Sequence, residues 1–146
     1  MKYGLVFVLI SMVSALCFGQ TDSAAKKSST GADKLPVEIS TYIKTSFPNH
    51  KVLRFSQDDD KEYEVYLDKD IVLDFNNRNQ IKSIDGKSKL PDTAIPPKIL
   101  AYVKASYSSN SITDWETDGK VQEITLDNGV ELSFTNDGEY IPGGKM

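Results

Sequence analysis

The chain has one cysteine, one histidine and one tryptophan in 146 residues. The cysteine, Cys17, stands inside an N-terminal apolar stretch, so the body of the chain has none. Structural disulfides, thiolate metal sites and cysteine nucleophiles therefore have no residues to build on there. A single imidazole, His50, cannot supply the ligand set of a typical zinc site. It also has no Gly-x-Ser-x-Gly elbow to partner in nucleophilic catalysis. Phosphate-cradling glycine loops are missing as well. There is no basic excess: 17 Lys and Arg face 21 Asp and Glu, for a net charge of -4. That balance argues against nucleic acid or an anionic membrane surface as the partner. Together these absences point away from an enzyme and imply no cofactor.

Residues 1–19 read as a secretory signal peptide. Lys2 supplies the positive start, Leu5 to Leu16 is apolar apart from Ser11 and Ser14, and Gly19 precedes Gln20. The apolar run is shorter than the roughly 20 residues a membrane span needs, so cleavage near Gly19 is expected, with no stable membrane insertion afterwards. Cys17 follows Leu16 where a lipoprotein signal needs a small residue, and so goes with the discarded segment. Residues 20–34, rich in Ser, Ala, Thr, Lys and Gly, read as a disordered tether. Residues 35–146 then form one domain, placed in the periplasm or outside the cell.

That domain is a tandem repeat. Ile39, Tyr42, Ile43, Lys44, Ser46 and Phe47 recur as Ile99, Tyr102, Val103, Lys104, Ser106 and Tyr107. Glu64, Val65, Leu67, Asp68, Ile71, Leu73, Phe75 and Asn77 recur as Glu123, Ile124, Leu126, Asp127, Val130, Leu132, Phe134 and Asn136, at an offset one residue smaller. The lost residue falls where the run Asp58-Asp59-Asp60-Lys61 faces the shorter Asp118-Gly119-Lys120, both turn-like. Repeat one covers 35–86 and repeat two 94–142.

Each repeat opens with a helix. Leu35, Ile39, Ile43 and Phe47 form one apolar stripe. Pro36 suits the first helical turn, and Pro48 ends the helix. Pro96, Ile99, Val103 and Tyr107 repeat the pattern. Strands follow at Val52 to Gln57, Tyr63 to Leu67, Ile71 to Phe75 and Ile81 to Ile84. Their counterparts are Ser111 to Thr117, Val121 to Leu126, Val130 to Thr135 and Glu139 to Ile141. Asn128-Gly129 reads as a two-residue hairpin turn with both residues at positive φ; Lys69-Asp70 holds the equivalent place. Alternation puts Val65, Leu67, Ile71, Leu73 and Phe75 on one face with Ile124, Leu126, Val130, Leu132 and Phe134. Glu64, Tyr66, Val72, Asp74, Glu123, Thr125, Glu131 and Ser133 take the other. An antiparallel sheet with one apolar face is covered on that side only. The expected fold is α+β: two tandem repeats of one helix followed by a four-stranded antiparallel meander, with both helices on one face of the sheet.

The motifs Leu35-Pro36 through Phe47-Pro48 and Tyr63-Glu64-Val65 through Phe75-Asn76, each repeated, resemble the PepSY-like proteins whose fold is likened to β-lactamase-inhibitor protein. The resemblance covers the chain beyond the tether. It implies a secreted or periplasmic protein with two tandem α+β units and a curved sheet. It further implies a binding or inhibitory module whose open sheet face meets another exported protein. A small-molecule or peptide carrier, or an envelope stress protein, is the alternative.

Candidate residues on the open face are Arg54, Tyr66, Val72, Asp74, Trp115, Glu131 and Ser133. For Trp115 two placements stand. Strict alternation from Ile112 sets the two on opposite faces, and a bulge would reverse that. His50 reads as an exposed loop residue rather than a base. Asp58, Asp59 and Asp60 read as a solvated hairpin tip, since the glycine and distal glutamate of a calcium loop are absent.

Overall fold

The computed structural model describes residues 34–143 and the backbone of residues 27–29. One antiparallel sheet of nine strands, neighbouring in sequence order, spans them. The first edge strand is β1, Lys27–Ser29, followed by helix α1, Val37–Ser46. The first meander comprises β2 Val52–Gln57, β3 Tyr63–Leu67, β4 Ile71–Phe75 and β5 Ile81–Gly86. A 3₁₀ turn at Asp92–Ala94 leads to α2, Pro97–Ser106. The second meander comprises β6 Ile112–Thr117, β7 Val121–Leu126, β8 Glu131–Thr135 and β9 Tyr140–Ile141. Pairing of β5 with β6 makes the two halves one continuous sheet. The α+β fold of two helix-plus-meander repeats is thus the one read from the sequence.

The segment 1–19 lies outside the described residues. Part of the expected tether departs from the sequence reading: Lys27, Ser28 and Ser29 pair with Gln57, Ser56 and Phe55. Composition misses this because an edge strand pairs through backbone N–H and C=O groups and needs no apolar side chain.

Both helices are set by proline at the start and by burial along one side. Pro36 and Pro96 precede the first helical residues, and Pro97 occupies the first turn, where a missing N–H costs nothing. Ten-residue helices are marginal alone, so docking must hold them. Ile39, Ile43, Ile99 and Val103 are buried against Val65, Leu73, Ile124, Leu132 and Phe134. Each of these side chains stabilises by about 1.5–3 kcal/mol when fully buried, which outweighs the weak intrinsic helix preference. Tyr42 meets Phe75 edge-on at 5.6 Å, and Tyr102 meets Phe134 in the same way at 5.5 Å.

Two local differences from the sequence reading recur in both halves. Register shifts between Val52 and Arg54 in β2, and again between Ile112 and Asp114 in β6. The bulged residues are therefore Leu53 and Thr113. The hairpins joining β3 to β4 and β7 to β8 hold the loops Asp68–Asp70 and Asp127–Val130. In the second loop Gly129 alone has positive φ, at 81°. In the first, Lys69 and Asp70 both do, at 59° and 58°. The two-residue turn expected at Asn128-Gly129 is lengthened by Asp127, whose carboxylate takes Asn110 Nδ2 at 2.8 Å and the Ser111 N–H at 3.2 Å.

Candidate functional site

Strand pairing sorts the uncovered face into two transverse rows, since residues directly opposite one another share a face. One row runs Arg54, Tyr66, Val72, Asp85, Asp114, Thr125, Glu131. The other runs Ser56, Glu64, Asp74, Ser83, Glu116, Glu123, Ser133. Six of the candidates read from the sequence come together here: Arg54, Tyr66, Val72 and Glu131 in the first row, Asp74 and Ser133 in the second.

Trp115 does not join them. It lies opposite Ile84 on one side and Ile124 on the other, and is 6% exposed within the core. The Thr113 bulge restores it to the same face as Ile112, which lies opposite Leu126. Its partner Phe55 is buried by the same device after Leu53. Trp115 is therefore removed from the candidate site. The repeat carried the signal, because Trp115 aligns with Phe55 and the two share one environment.

The bulge has a second effect. It turns Asp114 and Glu116 onto the open face beside Asp85, and these three were missed in the sequence. Their placement depends on the β5–β6 pairing between repeats, which internal alternation cannot supply. The face thus gathers Glu64, Asp74, Asp85, Asp114, Glu116, Glu123 and Glu131 around a hollow of about 590 Å³.

Serines order part of this acidic field. Ser83 Oγ donates to Asp74 Oδ2 at 2.8 Å, Ser56 Oγ to Glu64 Oε2 at 3.3 Å, and Ser133 Oγ to Glu123 Oε1 at 3.4 Å. Asp114 Oδ2 accepts from Thr113 Oγ1 at 2.5 Å. At one end Arg54 lies flat on Tyr66, its guanidinium carbon 3.3 Å from the ring centroid. Such cation–π stacking holds both side chains in place. No group of three His, Cys, Asp or Glu side chains among the described residues is placed to hold a metal ion.

The remaining sequence candidates lie elsewhere. The His50 side chain is 8% exposed, where an exposed loop residue was expected. Its Nδ1 is 2.9 Å from Asp68 Oδ1, and its ring stands edge-on to Phe47 at 5.8 Å. The turn after Pro48 folds it back under the helix end. Asp58 caps its own turn: its Oδ1 accepts from the Glu62 N–H at 2.9 Å, and its carbonyl from the Lys61 N–H at 3.1 Å.

A family model described as "Putative beta-lactamase-inhibitor-like, PepSY-like" matches residues 21–83 and again 73–141. The chain belongs to this PepSY-like family. The two matches overlap at residues 73–83, from within β4 into β5. Among solved structures, a "putative periplasmic protein of unknown function" from Bacteroides vulgatus is 30% identical, with TM-score 0.69, over 80% of this chain and 97% of that one. A second periplasmic protein from the same organism, of the DUF2874 family, is 28% identical, with TM-score 0.71, over 84% and 97%. A third, from Bacteroides thetaiotaomicron and described as a "putative calcium-regulated periplasmic protein", is 27% identical, with TM-score 0.69, over 76% and 91%. Curated proteins give no match. No helix among the described residues of this PepSY-like chain is long and apolar enough to cross a membrane.

Proposed function

We propose that this PepSY-like protein is a periplasmic, non-enzymatic binding module whose uncovered sheet face receives a cationic surface of another exported protein. One observation carries the reading: seven carboxylates stand in two registered rows on a face that neither helix covers. Seven carboxylates against the single guanidinium of Arg54, over a low-dielectric sheet, focus field and raise the encounter rate of an oppositely charged partner. Arg54 on Tyr66 provides a rigid aromatic edge of the kind that anchors interfaces. The periplasmic description of the structural neighbours supports the location, in keeping with the signal read at residues 1–19. A carrier of apolar cargo fits less well, because seven of the fourteen residues around the hollow are carboxylates.

The test places a photo-crosslinking residue at Tyr66 and, as a control, at Lys98 on α2. Each protein is then exposed to periplasmic extract. A discrete adduct from the Tyr66 position that weakens with added salt, and disappears when Asp85 and Asp114 become Asn, is the expected outcome. Equal adducts from both positions, or an adduct indifferent to the carboxylates, would reject the sheet face.

A further inference from the structure

The two halves build the same groove on the other side of the sheet, between the end of each helix and the strand that follows. Ile43, Lys44, Phe47 and Val52 line it in the first half, and Val103, Lys104, Tyr107 and Ile112 occupy the same positions in the second. The grooves differ in what fills them. In the second half, the segment between β5 and α2 lies in the groove. Leu90 is 2% exposed there, and its N–H donates to the Ile112 carbonyl at 2.8 Å. Two residues on, Asp92 Oδ2 accepts from Lys104 Nζ at 2.6 Å. About 210 Å³ remains open beside them.

The first groove measures about 510 Å³, and Val37 on its rim is 71% exposed. Connection length explains the difference. Ile84, opposite Trp115, is twelve residues before the helix-capping Pro96, whereas Ser29, opposite Phe55, is seven before Pro36. Thr30, Gly31, Ala32 and Asp33, which join β1 to Lys34, include no large apolar side chain. The first connection is thus five residues shorter than the one that carries Leu90. Lys44 nonetheless stands, exposed, where Lys104 meets Asp92.

We propose that the first groove is a docking site for an extended segment of another polypeptide, bearing an apolar side chain and a carboxylate two residues later. The second half supplies this chemistry in cis through Leu90 and Asp92, and so defines the occupant of the first. The apolar side chain enters beside Ile43 and Val52. The backbone N–H of that residue meets the Val52 carbonyl, as Leu90 meets Ile112. The carboxylate meets Lys44. This site is on the opposite side of the sheet from the acidic rows and is independent of them.

A fluorescent peptide copying residues 87–94 provides the probe, titrated into the purified full chain with anisotropy and amide chemical shifts as readouts. Saturable binding is expected, with shifts at Val37, Lys44, Phe47 and Val52. The Leu90→Ala form of the peptide should bind about tenfold weaker or worse, the size expected for losing one buried leucine contact. Lys44→Glu and Val37→Glu, both at exposed positions, should weaken binding while leaving the thermal midpoint unchanged. Absence of saturable binding overturns the proposal, including the case in which the chain's own first 33 residues occupy the groove. Equal affinity for the Leu90→Ala peptide, or shifts confined to the acidic face, also overturns it.

Discussion

Trp115 donates its indole N–H to Gln122 Oε1 at 3.1 Å, with both side chains buried. Gln122 Nε2 in turn donates to the carbonyls of Thr135 and Asn136, at 3.2 and 2.9 Å. In the first half the same positions hold Phe55 and Tyr63, which meet through their rings at 6.2 Å. One location therefore uses a hydrogen bond in one repeat and an aromatic contact in the other. Gln122→Leu should cost about 1–3 kcal/mol, because it strands the buried indole N–H. Adding Trp115→Phe removes that orphan, so the double variant should be less destabilised than the two single changes summed. Urea unfolding of all four proteins measures the coupling; strict additivity would refute the pairing.

Asp68 ties the loop after α1 to the β3–β4 hairpin. The Lys51 N–H donates to its Oδ1 at 3.1 Å, and His50 Nδ1 lies 2.9 Å from the same oxygen. The Lys51 N–H, and then the contact with His50, hold its carboxyl below the usual carboxylate range. A folded-state pKa below the unfolded value contributes stability above the ordinary carboxylate pKa of about 3.9. That contribution is lost as pH falls through the folded value. Asp68→Asn should therefore flatten the decline in stability in acid below about pH 4, read as the midpoint of urea unfolding at each pH. His50→Asn should be tolerated within about 1 kcal/mol, because Asn110 makes the corresponding contact to Asp127 at 2.8 Å.

Asp70 sits in the left-handed region at φ 58°, where the second repeat places Gly129. A side chain there costs roughly 1–2 kcal/mol that glycine avoids. Asp70→Gly should raise stability by about 1 kcal/mol, shifting the denaturant midpoint without changing the slope of the transition. A lower midpoint would show that the Asp70 side chain contributes more than its backbone costs.

Burial beneath α1 pushes the Tyr42 phenol up to about 12, offset in part by a hydrogen bond with Ser46. A raised folded pKa means that the neutral form is favoured in the fold. The resulting stability is present below the unfolded tyrosine value of about 10 and is lost as pH rises toward the folded value. Tyr42→Phe should thus leave neutral stability nearly unchanged and move alkaline unfolding to higher pH, followed by far-ultraviolet circular dichroism between about pH 10 and 12. An unchanged alkaline midpoint would assign that transition to another group.

Local periodicity made much of the fold readable. The four-residue spacing of Leu35, Ile39, Ile43 and Phe47 marks a helix, and the alternation of Val65 and Leu67 with Tyr66 marks a half-buried strand. Both patterns repeat, so chance agreement is small. Arg54 reaches the open face through the Leu53 bulge, whereas Tyr66, Val72, Asp74, Glu131 and Ser133 followed from the same alternation. Trp115 did not, because one inserted residue, Thr113, reverses every later side chain in the strand. Bulges leave no composition signal; only the alignment of Trp115 with Phe55 hinted at this one. Lys27–Ser29 escaped notice for a related reason, since backbone pairing does not select apolar side chains.

Amino-acid order alone determined the two helices, the two meanders and which side chains between Tyr63 and Phe75 point inward. Those depend on contacts within a few residues and on steric rules that every chain obeys. Tertiary structure decided what joins the repeats. Pairing of β5 with β6 sets Asp85 opposite Asp114 and Ser83 opposite Glu116, which completes the acidic rows from two half-sheets. It also decided that Leu90 and Asp92 fill one groove while its counterpart stays larger, because the two connections differ in length. Such pairings are made between residues distant in the chain, where no local periodicity reaches, and there the two repeats cease to be equivalent.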